Sequence, residues 1–344
     1  MILNYKKGSE AQTLRKLLQH NKVQFCAFVF LLLFLGTAWV QGLNLFSLQS
    51  DFIGRVGMNG ILALAMIPAV VCGIGLNFGL SIGMLCGLLG GCISIELNLH
   101  GAFALLVAFA VGSLFATIGG ILYGMLLNRL KGSEMTVGTY AGFSAVSLMS
   151  VAWTLLPFSS PAMVWNIGGK GLRTTISLTD HFGGVLNHWG QLLLLAILSF
   201  AFFLFLKTRT GLAMKIAGEQ EPFARSCGID VDKMRILGTT ISTILGAIGI
   251  LVYAQGCGFM QLYQAPLMMP FLAVAAVLLG GATIKHGKVR HALLGVCLLQ
   301  LLMTVSTPVM SHLFPNSNSS DAIRIIITYG MILYALTQKG GIER

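Results

Sequence analysis

The sequence predicts an all-α, polytopic membrane protein, and three observations carry that prediction. Apolar runs of spanning length recur from one end of the chain to the other. Charged residues make up 10% of the 344 residues, against roughly 25% in an ordinary soluble domain. Basic residues gather in alternate connections between the runs. Because a helix needs about 20 apolar residues to cross the hydrocarbon core, length and interruption divide the chain into ten spans. They fall at about 23–41, 56–74, 80–97, 102–127, 136–156, 188–206, 236–255, 266–284, 291–310 and 323–338, in one transmembrane domain covering 1–344.

The first run, "VQFCAFVFLLLFLGTAWVQ", follows a basic segment, 1–22. It is longer than the apolar part of a signal peptide and no A-x-A site follows, so it reads as a retained span. Between the second and third runs lies "GIGLNFGLSIG", residues 73–83. A Gly-rich interruption is tolerated at membrane depth only where backbone is buried in protein or lines a cavity, so one broken or re-entrant segment is expected here. Residues 157–187 hold the Pro, Gly and Ser punctuation of an external, turn-rich cap, with a plain connector as the alternative. Residues 207–235 form the largest cytosolic loop.

Positive-inside bias assigns the sides. Of the 22 basic residues, 18 fall in segments placed in the cytosol, leaving Arg55, Lys170, Arg173 and Arg324 outside. This partition puts both termini in the cytosol and agrees with an even number of spans. It also explains the net charge of +11 as an orientation signal, with no groove-reading motif to suggest nucleic acid. The 42 glycines suit helices that pack through small residues.

Chemistry is sparse. The seven cysteines form no C-x-x-C pair and fall mostly inside apolar runs, as small core residues do. No Walker-type G-x-x-x-x-G-K-[ST] occurs, so the chain is not itself a nucleotide-binding motor of that type. No catalytic constellation or metal motif is apparent, and the seven histidines sit at loops and span ends. Glu96, near the outer end of a span, reads as solvated. Asn59, Asn77, Ser81, Thr136 and Thr139 are the candidate lining of a pathway, helix-bridging hydrogen bonds being the alternative.

The polar island "GEQEPFARSCGID", residues 218–230, stands out in the largest cytosolic loop. Pro222 suits a first helical position and Gly228 a left-handed stop. Glu219 and Glu221 sit where a helix dipole favours negative charge. The pattern specifies a helix of about two turns over 218–228, too short to stand alone in water. It must be braced by something, or be a solvated linker with good caps.

"GLAMKIAGEQEPFARSCGIDVDKMRILGTTISTILGAIGIL", residues 211–251, resembles the permease subunits of bacterial ABC importers of the ribose and simple-sugar class. Gly211, Ala217, Gly218, Ala224, Gly228, Ile229 and Val231 match that family's pattern, while Pro222 and Phe223 stand where it often has Glu and Ala. Three further stretches extend the likeness over most of the chain: "NLFSLQSDFIGRVGMNGILALAMIPAVVCGIG", "FLAVAAVLLGGATIKHGKVRHALLGV" and "IRIIITYGMILYAL". The segment 73–83 departs from it, being longer and having Gly79 in place of an Asp. "LNFGLSIGM" is also similar to a motif of the related nucleoside permeases, again without its acid.

The resemblance implies a bacterial inner-membrane permease that moves a small neutral solute, monosaccharide-like, by alternating access and is not itself an enzyme. Nucleosides or another ring compound such as a vitamin are alternative solutes. An ion-coupled secondary transporter is the rival of another class, disfavoured by the lack of intramembrane acids. The implied partners are cytosolic ABC ATPase subunits, which hold ATP and Mg, an extracytoplasmic substrate-binding protein, a second copy or a homologous permease, and membrane lipid. Gly218, Glu219, Glu221, Pro222, Phe223, Ala224, Arg225, Gly228 and Ile229 would couple to the ATPase, with Ala224 on the face entering a groove of it.

Overall fold

The computed structural model describes residues 45–164, 173–178 and 181–313, with single residues 36, 326 and 330. The expected spans at 23–41 and 323–338, the segment 1–22 and both termini lie outside the described residues. Within them the order is α1 (Leu45–Val71), α2 (Leu80–Glu96), α3 (Gly101–Arg129), α4 (Glu134–Leu155), β1 (Thr175–Ser177), α5 (His188–Phe205), α6 (Arg209–Glu219) and α7 (Glu221–Ser226). Then follow α8 (Val231–Cys257), β2 (Phe259–Gln261), α9 (Gln264–Leu279) and α10 (Val289–Leu313). Among the described residues six helices, α1, α3, α4, α5, α8 and α10, are long and apolar enough to cross a membrane, and α2 and α9 are shorter apolar helices. Each of the eight overlaps an expected span. α1 begins about ten residues before its apolar run, because hydropathy marks the stretch inside the membrane and a helix can continue past it through polar residues such as Gln49 and Asp51.

α1, α2 and α8 form the centre, with most of their side chains buried. Their approach is set by small residues. A Cβ on Gly83 of α2 would lie 2.9 Å from the Thr243 Cα of α8, and one on Gly120 of α3 would lie 2.8 Å from the Thr240 Cα. Between α2 and α3, a Cβ on Gly90 would lie 2.6 Å from the Ala108 carbonyl oxygen. Backbones this close gain dispersion contacts where no hydrophobic driving force separates helix from lipid. α3, α4 and α5 instead expose large apolar side chains, among them Leu114, Leu148 and Phe200, as helices facing lipid or a partner do.

One end of the bundle carries a small cap. β1 pairs antiparallel with β2, setting Ile176 against Met260, and both side chains are fully buried. The described part of 157–187 is thus ordered by pairing with the chain that leaves α8. At this cap Glu96, expected to be solvated, lies at a partly open site where its carboxylate accepts from the backbone N–H groups of Ser159 at 3.0 Å and Ser160 at 3.1 Å. A carboxylate beside unpaired loop amides finds charge-assisted bonds there, which tie the loop after α4 to the end of α2.

Candidate functional site

Two polar regions stand out, one at the opposite end of the bundle from the strand pair and one at membrane depth. The first runs from Thr208 to Arg235. Thr208 caps α6 by accepting from the Gly211 N–H at 3.2 Å. The helix expected over 218–228 is divided: Gly218 and Glu219 end α6, Gln220 is extended at φ −146°, and α7 begins at Glu221 with Pro222 in its first turn. The break has a local cause, since Pro222 has no N–H to donate to the Gly218 carbonyl and could not continue α6. Gly228 adopts φ +76°, the left-handed stop that its lack of a Cβ permits. Ile229 then donates its N–H back to the Ala224 carbonyl at 2.9 Å.

Ala224 does not face outward, which corrects the expectation for it. It is fully buried in a miniature core with Ala217 and Val231, flanked by Ile216, Ile229 and Met234. A six-residue helix is unstable in water, and this core supplies the brace. The outward side chain is Phe223, 55% exposed. An aromatic ring this open on a charged loop is the kind of anchor that partner surfaces bury.

Charge knits the same segment to its neighbours. Glu221 accepts from Arg225 at 2.8 Å and from Lys131 of the α3–α4 turn at 3.2 Å. Lys131 also pairs with Asp232 at 2.7 Å. The Arg225 and Lys131 partners hold the Glu221 carboxyl below its ordinary range. Asp230 caps α8 by accepting from the Lys233 N–H at 3.1 Å, and that bond, with the Lys233 side chain, lowers its pKa too. One step deeper, Arg235 of α8 pairs with Glu134 at the start of α4, with side-chain exposures of only 6% and 14%.

The second region is the interruption between α1 and α2. Gly73 and Gly75 take φ +82° and +91°, and the chain then places Asn77 in the bundle centre. Asn77 Nδ2 donates to Ser242 Oγ at 2.8 Å, and its Oδ1 accepts from the Tyr123 hydroxyl at 3.0 Å. Ser242 Oγ donates in turn to the Ala65 carbonyl at 2.6 Å. Ser242 lies eleven residues into the 27-residue α8, roughly 16 Å at about 1.5 Å per residue, so the cluster sits near the middle of that spanning-length helix. Ser81 donates to the Pro266 carbonyl of α9 at 2.7 Å.

The structure thus brings Asn77 and Ser81 together at one break and leaves the other candidates apart. Asn59 donates to the Arg55 carbonyl of its own helix and lines a narrow crevice against α9 and Gln300. Thr139 donates to the Met135 carbonyl one turn back, and Thr136 is exposed.

Sequence reasoning missed Tyr123 and Ser242. The available signals were a lone tyrosine between glycines in α3 and the polar run "GTTIST" in α8. Tyr123 also accounts for Gly79: a Cβ at Gly79 would collide with its ring, and one at Gly138 would lie 2.6 Å from its hydroxyl. An acid at Gly79 has no room while Tyr123 fills the space.

The two regions touch. A Cβ on Gly73 would lie 2.9 Å from the Gly218 Cα, and one on Gly218 would strike the Val71 carbonyl. The end of α6 is therefore packed, backbone on backbone, against the start of the break.

A helical bundle of this length and apolarity, with a neutral break and a charge-knit loop packed against it, has the make-up of a polytopic membrane protein. The chain belongs to the family described as branched-chain amino acid transport system / permease component, whose sequence model matches residues 48–336. It is similar to the autoinducer 2 import system permease protein LsrC of Yersinia pestis (strain Pestoides F), 24% identical over 332 residues that cover 96% of this chain and 89% of that protein. The LsrC of Yersinia pseudotuberculosis serotype IB (strain PB1/+) is similar to the same extent, 24% identical over 332 residues, with 96% and 89% of the two chains covered. No solved structure matches. The chain is a multi-pass protein of the bacterial inner membrane and works with an ATPase and a substrate-binding protein, the ATPase being a separate subunit.

Proposed function

We propose that this permease admits a small, neutral, monosaccharide-sized solute through the region beside the 72–83 break, driven by α6 and α7. Residues 207–235 form the cytosolic coupling loop, residues 157–187 the external one, and ATP with Mg is hydrolysed on the partner subunits. The permease itself catalyses no reaction and pairs with a second copy or a homologous permease. The contact of Gly218 with the Val71–Gly73 backbone carries the reading. A push on α7, braced to α6 through Ala217 and Ala224, reaches the break without passing through a flexible linker. A rigid contact of this sort can bias two arrangements of the break, which is what alternating access requires.

The neutrality of the break supports the solute class. Asn77, Ser81, Tyr123 and Ser242 carry hydroxyl and amide groups and no charge; here they are buried in bonds to one another and to backbone carbonyls, and movement of the break would exchange those bonds for ones to a polyhydroxylated neutral compound. The carboxylate and ammonium of an amino acid would be left unpaired there at a cost of several kcal/mol. The relatives named for autoinducer 2 import make that compound the first candidate. Reconstituting the full chain with its ATPase and binding protein tests the proposal by solute-stimulated ATP hydrolysis. Autoinducer 2 or ribose is expected to stimulate and leucine to have no effect; stimulation by leucine alone would overturn it.

A further inference from the structure

Beside the coupling loop, α5, α6 and the turn before α10 enclose an open cavity of about 790 Å³, within the range of small-molecule sites. Five cations line it: Lys207, Lys215, Lys285, Lys288 and Arg290. They come from three separate elements, and Glu219 is the only acid among the lining residues. Glu219 stands 3.9 Å from Lys215, a long pair that offsets one charge in part.

The wall below the cations is apolar. Phe200 and Phe203 of α5 are 63% and 45% exposed, and Leu293 of α10 faces them across the cavity. Lys207 lies over the Phe203 ring at 4.5 Å, which holds its charge at the boundary between the two zones. Cations above an apolar wall match an amphiphile with an anionic head and hydrocarbon behind it. A basic pocket between spanning helices at the cytosolic face has this chemistry.

From this we infer that the cavity holds an anionic phospholipid of the cytosolic leaflet, with its phosphate among the five cations and its chains along α5 and α10. Charge separates this occupant from the others. Residues 1–22 contain Lys6, Lys7, Arg15, Lys16 and Lys22 against Glu10 as their one acid, so that segment repels the site. A soluble anion leaves the phenylalanine wall in contact with water. A lipid bound here would lie against α6, and α6 ends at the Gly218 contact, so the same site would couple leaflet composition to transport.

The test reconstitutes the full-length permease into nanodiscs of phosphatidylcholine and phosphatidylglycerol, extracts it into detergent and counts retained lipids by native mass spectrometry. Wild type is expected to retain phosphatidylglycerol over phosphatidylcholine. The variant Lys285→Gln/Lys288→Gln/Arg290→Gln should lose roughly a hundredfold of that preference, since each cation near an anionic surface contributes about fivefold. The single variant Lys288→Gln should lose about fivefold, which keeps the reading testable where the triple variant does not fold. Arg129→Gln/Lys233→Gln, which removes two exposed cations outside the cavity, should retain the wild-type preference.

Equal retention of the two lipids by wild type would overturn the inference, as would an unchanged preference in the triple variant. Displacement of the lipid by soluble glycerol phosphate as readily as by added phosphatidylglycerol would make this a small-anion site and overturn it also. A disulfide from a cysteine placed at Phe200 to one placed in 23–41 or 323–338 would seat the chain's own helix in the cavity, with the same consequence. A cavity emptied of lipid by binding of the ATPase would mark it as a protein interface and overturn it too.

Discussion

The coupling segment at 208–235 and the membrane break at 72–83 both interrupt an apolar chain with polar residues, and they are built by opposite means. The coupling segment is held by local signals and charge: Thr208 and Asp230 cap its flanking helices, and Glu221 pairs with Arg225 one turn away. The break is held by neutral bonds to distant residues, Asn77 to Ser242 and Tyr123, and Ser81 to Pro266. The difference follows from solvent. Near water a charged pair costs little to form and contributes little, whereas at membrane depth each polar group must find a partner within the protein. One segment is thus placed where it can be pushed, and the other where a small displacement exchanges its hydrogen-bond partners.

The largest expected effect breaks the ion pair at the border between the two regions. Arg235→Gln leaves Glu134 as an unpaired acid whose side chain is 14% exposed, and losing one partner of such a pair costs about 3–5 kcal/mol. Thermal unfolding of the purified permease should show a marked loss for Arg235→Gln and for Glu134→Gln. The double variant Arg235→Met/Glu134→Gln should recover most of it, because no buried charge is then left alone.

Next comes the break. Gly79→Asp introduces the acid that the resemblance to sugar permeases led one to expect there, but its Cβ would collide with the Tyr123 ring. Overpacking of this sort costs typically 1–3 kcal/mol, so the variant should be less stable and transport-defective. Gly79→Asp/Tyr123→Ala should recover stability by vacating the space. If Gly79→Asp alone has wild-type stability, Tyr123 is not the reason for the missing acid.

The same contrast decides what was legible in the sequence. The eight apolar helices among the described residues overlap the spans that hydropathy marks, because a span is specified by its own composition. The ends of α7 were readable for a similar reason: Pro222 and Gly228 act through their own backbone geometry. The division at Gln220 was hidden in Pro222, whose missing N–H ends α6 as surely as its fixed φ begins α7. The inward turn of Ala224 depends on Ala217 and Val231, seven residues away on either side. Tyr123 and Ser242 lie 46 and 165 residues from Asn77, so the lone tyrosine and the polar run in α8 mark them as unusual without saying that they meet.

A smaller effect on stability separates surface from brace within the coupling segment. Phe223 is exposed, so Phe223→Ser should change thermal stability by no more than about 0.5 kcal/mol. It should nevertheless weaken co-purification of the ATPase and lower solute-stimulated hydrolysis. Ala224→Glu, by contrast, should lose stability and coupling together, since its carboxylate would enter the miniature core. Equal ATPase binding by wild type and Phe223→Ser would remove Phe223 from the interface.

The smallest effect concerns Glu221 and has a sign fixed by linkage. Arg225 and Lys131 depress its folded-state pKa, so its contribution to stability is present above the unfolded carboxyl value, about 4.3, and is lost as pH falls through the folded value. The side chain is 39% exposed, so solvent and salt screen the pairing, and exposed pairs contribute roughly 0–1 kcal/mol. Wild type should therefore unfold at a slightly higher temperature than Glu221→Gln at pH 7. The gap should narrow with added salt and close in acid, where Glu221 is protonated and resembles the glutamine. A gap that persists unchanged at pH about 3, below the ordinary range of a glutamate, would mean that Glu221 acts through shape rather than charge. The coupling segment would then be held by its miniature core alone, and its charges would be left for the partner that pushes it.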